Sequence, residues 1–371
     1  MSEIKDARVD ADRRRGRGAV SNQSSRYDRL SRVGFDDGWE PSDDAPAPLK
    51  TTLAKDTSRS VIAKNDSPDI YFEQSINPYR GCEHGCIYCY ARPTHAYLGL
   101  SPGLDFESRL TYKPDAARLL TQELARPGYR CKFIALGTNT DPYQPVEREH
   151  RITRQILEVL AACGHPVMIT TKSALAARDI DILAPMARKG LVQVAVSVTT
   201  LDRKLARRME PRASTPERRL ETIAALAEAG IPTAVLASPM IPSLNDHELE
   251  AILDRAAGAG ATLASYIPLR LPNEIADLFR EWLEQNEPGR AKRVLKLVRE
   301  MRGGKLNDAR FGHRMRGEGA YAQMIAKRFA AAVERFGLNR DPRPELATDL
   351  FRKPKPVEMP AKSDAPQLTL F

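Results

Sequence analysis

Three thiols fall within the run Gly81-Cys82-Glu83-His84-Gly85-Cys86-Ile87-Tyr88-Cys89-Tyr90, in the spacing C-x3-C-x2-C. Three thiolates can hold three corners of a cubane iron–sulfur cluster and leave the fourth iron open for chemistry. His84 lies inside the loop, so a structural Cys3His zinc site is the alternative. Zinc knuckle ligands usually come as separated pairs, whereas this chain concentrates three of its five cysteines in one place. Cys131 and Cys163 read as small buried hydrophobes. An odd, bunched count argues against a disulfide framework and suits a reducing compartment.

Such a loop needs elements that present it. From Tyr71 the sequence alternates compact apolar runs with helical periodicity. The runs at 71–76, 132–136, 166–171, 191–197, 232–237 and 262–267 predict six short strands. Helical patterns lie between and after them, at about 115–126, 147–162, 178–189, 214–229, 245–258 and 272–285. Gly190 and Gly230 stand where helices end. Ser214-Thr215-Pro216-Glu217 predicts a capped helix start, and Asn245-Asp246 predicts a second. Six βα units in series imply a parallel sheet with right-handed crossovers. The predicted class is α/β, a partial (βα)6 TIM-type barrel, with a doubly wound open sheet as the alternative. In either, the working face lies at the C-terminal ends of the strands, and the cysteine loop follows strand one on that rim.

The 371-residue chain has 42% hydrophobic residues, enough for a substantial core, and a net charge of +9 from 57 basic and 48 acidic residues. That excess is compatible with a nucleic-acid partner. Residues 1–60 are polar and charged and predict a largely disordered arm, in which Arg13-Arg14-Arg15-Gly16-Arg17-Gly18 could touch phosphates and Trp39 could pin the arm to the domain. Residues 61–290 form the predicted (βα)6 domain, 291–340 a helical C-terminal extension, and 341–371 a flexible tail. The N-terminus has no apolar secretory segment, and no run is long enough to span a bilayer, so a cytoplasmic location with no membrane partner is expected.

The cysteine spacing followed by βα units resembles the radical S-adenosylmethionine (SAM) superfamily over about residues 70–290. The stretches NPYRGCEHGCIYCYARPTH, LGTNTDPYQPVE, TTKS and SVTTLD resemble its spore-photoproduct-lyase-like branch, often labelled "DNA repair photolyase". The resemblance implies that Cys82, Cys86 and Cys89 ligate a [4Fe–4S] cluster whose open iron binds SAM. It implies that Tyr88 lies near the adenine and that the strand-two end, Gly137-Thr138-Asn139-Thr140-Asp141 with Thr138, Asn139 and Thr140 at its centre, meets the methionyl amino group. Lys172 would meet the SAM carboxylate and Ser197 the ribose. A lysine on that rim offers a point charge suited to a carboxylate. The implied chemistry is reductive: an electron from a reductant such as flavodoxin or ferredoxin enters the cluster, SAM is cleaved, and a 5′-deoxyadenosyl radical abstracts hydrogen from a substrate.

Spore photoproduct lyases also carry a cysteine near the end of strand two that returns hydrogen to the product. This chain has Thr138-Asn139-Thr140 there, and Cys131 sits at the strand's other end. A different rearrangement or modification, or a different hydrogen donor, is therefore expected. Tyr90 and His95 could line the pocket, and Arg270 could face an anionic substrate or form an ordinary ion pair. Gln367-Leu368-Thr369-Leu370-Phe371 resembles the peptide by which bacterial repair proteins dock on the DNA polymerase sliding clamp. The expected activity is radical SAM chemistry on a nucleic-acid-related substrate. A zinc-binding, DNA-interacting scaffold and a radical SAM enzyme for proteins or metabolites are the alternatives.

Overall fold

A computed structural model describes residues 7–28, 47–341 and 345–355. Its strands are β1 (Thr52–Lys55), β2 (Ile62–Lys64), β3 (Gln74–Ile76), β4 (Tyr79–Arg80), β5 (Arg109–Tyr112), β6 (Ile134–Leu136), β7 (Val167–Thr171), β8 (Val192–Ser197), β9 (Thr233–Met240) and β10 (Leu263–Pro268). The helices are α1 (Asp105–Ser108), α2 (Ala116–Ala125), α3 (Glu147–His150), α4 (Ile152–Ala162), α5 (Ile180–Ala187), α6 (Arg203–Met209), α7 (Pro216–Glu228), α8 (Leu249–Gly258), α9 (Ile275–Asn286), α10 (Pro288–Glu300) and α11 (Gly319–Phe336).

The main sheet runs β10-β9-β8-β7-β6-β3-β2. Strands β3, β6, β7, β8, β9 and β10 pair in parallel, and β2 joins the edge antiparallel to β3. This is the predicted partial barrel of six βα units. Central strands buried on both faces explain the near-continuous apolar runs. Val167, Ile169, Val192, Val194, Val196 and Val235 are all buried in the principal core. Helices α2, α4, α5, α7 and α8 bring Leu120, Leu157, Leu183, Ile223 and Ile252 to the same core.

The chain does not pass straight from β3 into the cysteine loop. It first forms the two-residue β4, which pairs antiparallel with β5, while β5 pairs in parallel with β1 in a second, three-stranded sheet. The cysteine loop thus hangs between two sheets. The helix predicted at 147–162 is two helices broken at Arg151, whose φ is 48°.

Residues 7–28 depart from the expected disordered arm. Ala19 and Val20 are buried among Ile87, Tyr88 and Leu104. Arg17, from the basic run, donates to Glu107 O at 2.6 Å and Leu49 O at 2.8 Å, which takes it out of reach of phosphates. At the other end, residues 345–355 lie along the N-terminal rim of the barrel. Ala347 N donates to Gly190 O (2.9 Å) and Arg352 N to Cys163 O (2.8 Å). Trp39 and Gln367–Phe371 lie outside the described residues. No helix among the described residues is long and apolar enough to cross a membrane.

Candidate active site

The cysteine loop is held by a buried ion pair. Arg92, three residues past Cys89, donates through Nε to Cys86 O (2.8 Å) and through Nη2 to Gly85 O (3.0 Å). Its Nη2 also meets Glu107 Oε1 at 2.5 Å, with both side chains fully buried. Glu107 accepts in addition from the amides of Gly18 and Ala19, each at 2.8 Å. A charge this deep persists only when paired and hydrogen-bonded on all sides. The approach is so close that a β-carbon on Gly85 (φ +67°) would sit 2.6 Å from Glu107 Oε2, and one on Gly18 would sit 2.0 Å from Gly85 O. Glycine is required at both places. Further ties run from Cys82 N to Phe106 O (2.9 Å), Ile87 N to Met209 O (3.0 Å) and Glu83 N to Gln144 Oε1 (2.9 Å).

Cys82 and Cys86 are 7% and 8% exposed, and Cys89 is half-buried. Burial pushes the Cys82 thiol well above its ordinary pKa and Cys86 up to about 12. Thiols held this way ionise when a cation takes the charge. Three soft thiolates, two of them buried, suit three corners of an iron–sulfur cluster. His84 Nδ1 is turned to Asp141 Oδ2 at 3.3 Å.

Asp141 joins three elements at this point. It accepts from His84 in the cysteine loop, from Thr171 Oγ1 (2.7 Å) on β7 and from the amide of Lys172 (2.7 Å). Burial opposes its ionisation, but His84 and these donors hold it at about 2.

The predicted SAM contacts lie on this same rim with unequal freedom. Lys172 Nζ is 5.9 Å from the Tyr88 ring centroid. Burial disfavours its ammonium, yet Cys86 and Glu210 more than offset that and raise its pKa. The Tyr88 hydroxyl bonds to Glu210 and lies 3.3 Å from Thr199 Oγ1, which leaves only its ring for a ligand. Glu210 in turn pairs with the buried Arg219, whose Nη1 donates to Ser197 O at 3.1 Å. Asn77 organises the strand-two end. Its Oδ1 accepts from Asn139 N (3.0 Å) and Thr140 N (3.3 Å), and its Nδ2 donates to Thr138 Oγ1 (3.3 Å). The Thr140 hydroxyl is buried and donates to Tyr79 O at 3.0 Å, so it serves the β4 backbone. His95 is a core residue: fully buried, with Nε2 2.9 Å from Arg109 O and its ring edge-on to Phe106. Tyr90 is an exposed rim residue whose hydroxyl donates to Thr138 O. Arg92, Glu107, Asn77, Glu210 and Arg219 carry no sequence signal of their own, and Asp141, expected at the methionyl amino group, instead braces the loop. Arg92 and Asp141 lie inside the quoted family stretches, and Asn77 opens one of them.

The Radical SAM superfamily model matches residues 76–256. An uncharacterised protein of Mycobacterium tuberculosis is 38% identical over 275 residues, 74% of this chain and 77% of that protein. The radical SAM Nα-GlyT isomerase of Pseudomonas phage M6 is 25% identical over 195 residues, 51% of this chain and 38% of that enzyme. Spore photoproduct lyase complexed with dinucleoside spore photoproduct shares the fold, with a TM-score of 0.53 and 17% identity over 77% of this chain and 80% of that one. This chain belongs to the radical SAM superfamily and is an enzyme that uses a [4Fe–4S] cluster and SAM.

Proposed function

We propose that this enzyme acts on nucleic acid, as a repair or modifying enzyme, with Cys82, Cys86 and Cys89 as the cluster ligands. When bound, the cluster and SAM supply reductive cleavage of the sulfonium and a carbon radical that takes hydrogen from the substrate. The observation that carries the ligand assignment is the convergence of three thiols, two of them buried, on the rim that also bears Lys172. Lys172 takes the SAM carboxylate as a point charge. The ring of Tyr88 faces the adenine, Ser197 the ribose, and the Thr138–Asn139 backbone the methionyl amino group. Thr140 contributes through the turn it stabilises. The site also needs electrons, for which a flavodoxin or ferredoxin is the proposed source.

Three features support a nucleic-acid substrate. The chain carries a net charge of +9. Its fold is shared with a lyase solved with a dinucleoside photoproduct, and its sequence is related to a phage radical SAM isomerase. The proposal includes docking of Gln367–Phe371 on a DNA sliding clamp.

The test is anaerobic: cluster reconstitution, reduction with dithionite, addition of SAM, and separate incubations with DNA, RNA and peptide pools. SAM-dependent mass change in nucleosides released from DNA or RNA, with 5′-deoxyadenosine formed, is the expected result. Change in peptides alone would overturn the substrate assignment, and no 5′-deoxyadenosine from protein with an intact cluster would overturn the whole reading.

A further inference from the structure

Arg270 differs from the other buried and half-buried arginines near the site. It follows β10 by two residues and lies between Leu269 and Leu271, both of which are buried. Leu269 N donates to Met240 O (2.9 Å) and Leu271 N to Leu306 O (3.2 Å). The backbone is thus fixed on both sides, and Arg270 is partly exposed between two buried neighbours. Arg92 is paired with Glu107, Arg178 with Glu147 and Asp179, and Arg219 with Glu210. Arg302 donates to the carbonyls of Pro268, Leu269, His313 and Arg314. Among the described residues Arg270 has neither a carboxylate partner nor a carbonyl acceptor. Its guanidinium carbon instead lies 4.9 Å from the ring centroid of Tyr90, the residue after Cys89. Burial lowers its pKa, and Arg314 adds to that. Arginine nevertheless stays charged at physiological pH. A half-buried, fixed cation without an anion is costly unless a ligand supplies one.

The surroundings indicate which anion. Tyr90 is 48% exposed and pinned at its hydroxyl to Thr138 O. Phe311 is 57% exposed, with the Arg314 guanidinium 4.8 Å from its centroid. Arg314 is fixed by Asp69 at 2.5 and 2.8 Å. Arg302 bridges the carbonyls of 313–314 to those just before Arg270, so Phe311 and Arg270 belong to one surface. Fixed aromatic faces beside arginines are the means by which single strands are gripped, bases on rings and phosphates on cations.

We propose that Arg270 and Tyr90 form a phosphate subsite for a single strand or an extruded nucleotide, with Phe311 as an adjoining base platform. This rests on the nucleic-acid reading above and names the residues that hold the strand beside the cysteine loop.

The test is fluorescence anisotropy with the full-length holoenzyme and a labelled single-stranded DNA of about 16 nucleotides, the upper end of single-fold site sizes, titrated at several salt concentrations. Arg270→Gln should weaken binding about tenfold, and its log–log salt slope should fall by about 0.7, the value of one phosphate contact on a single strand. Arg270→Lys should keep the slope, and Phe311→Ala should weaken affinity without changing it. These two variants carry the test if Arg270→Gln fails to fold, because Arg270→Lys with a reduced slope would overturn the subsite. Wild-type binding matched by Arg270→Gln in affinity and slope would overturn the subsite and leave the nucleic-acid reading standing. A raised KM for SAM with unchanged DNA affinity would make Arg270 a SAM ligand instead. Absence of DNA binding by the wild-type protein, with capture of a phosphopeptide, would overturn both.

Discussion

The two ends of the barrel are built from different interactions. At the C-terminal rim, two ion pairs, Arg92–Glu107 and Arg219–Glu210, and a His84–Asp141 hydrogen-bonding contact lie almost fully out of water. At the N-terminal rim the closing contacts are aromatic and backbone. Phe351 lies 5.2 Å from His165 and 5.5 Å from Tyr129, and the 345–355 segment adds main-chain hydrogen bonds. Apolar contacts hold elements together at low cost, and a buried ion pair seldom adds net stability over them. What a buried pair adds is direction, because a misplaced partner leaves a bare charge. The charged rim therefore fixes a geometry, that of the cysteine loop and Lys172, whereas the aromatic rim closes the fold.

The sharpest way to break this contrast is Arg92→Met. It leaves Glu107 buried and uncompensated and should cost about 3–5 kcal/mol. Denaturant melts of the apo protein should show that loss, and iron loading should fall with it.

Acid should separate the two ends by pH. His165 is buried, and burial pushes its pKa from 6.5 to about 4. The folded value lies below the unfolded one, so this stability is complete above pH 6.5 and declines as pH falls toward 4, by at most about 3 kcal/mol. Glu210 would be raised by burial but is held by Arg219 and Lys172 at about 2, from 4.5. Its contribution is complete above 4.5 and is lost only as pH falls toward 2. Stability measured against pH should show both declines, and His165→Gln should reduce the upper one to the share left by the buried His95, whose pKa burial also lowers.

Lys172→Met should raise the KM for SAM by about ten- to a hundredfold, the equivalent of about 1.5–3 kcal/mol for a hydrogen bond to a charged group. The melting temperature should hardly move. Phe351→Ala, at the opposite end, should do the reverse: about 1–2 kcal/mol of stability lost, with 5′-deoxyadenosine formation unaffected. A Phe351→Ala enzyme that folds well but cannot cleave SAM would erase the contrast.

The barrel was legible because its strands are apolar runs of the right length and its helices keep a 3.6-residue period. The candidate cluster ligands stood out because three thiols in eight positions have few other uses. The supports were not legible, because they join residues far apart in sequence. Glu107 is tied to Arg92 and to the amides of Gly18 and Ala19, from an arm whose composition predicts disorder. Asn245 looked like a helix cap, but it donates to Thr199 O and Pro239 O and accepts from Ile241 N. Asn, as a residue that caps or bridges backbone, gives no local sign of which it will do. Thr215 does cap α7, accepting from Arg218 N, whereas the nearby Glu217 faces Arg203. For Thr140, position on the rim was readable and orientation was not.

The most direct test of the central claim counts metal in anaerobically reconstituted full-length protein. About four irons per chain, with a reducible cluster signal, are expected in the wild-type protein and in the Cys131→Ser/Cys163→Ser variant. Each of Cys82→Ser, Cys86→Ser and Cys89→Ser should lose them. One zinc per chain in a colourless protein, or a cluster that survives loss of Cys86, would contradict it.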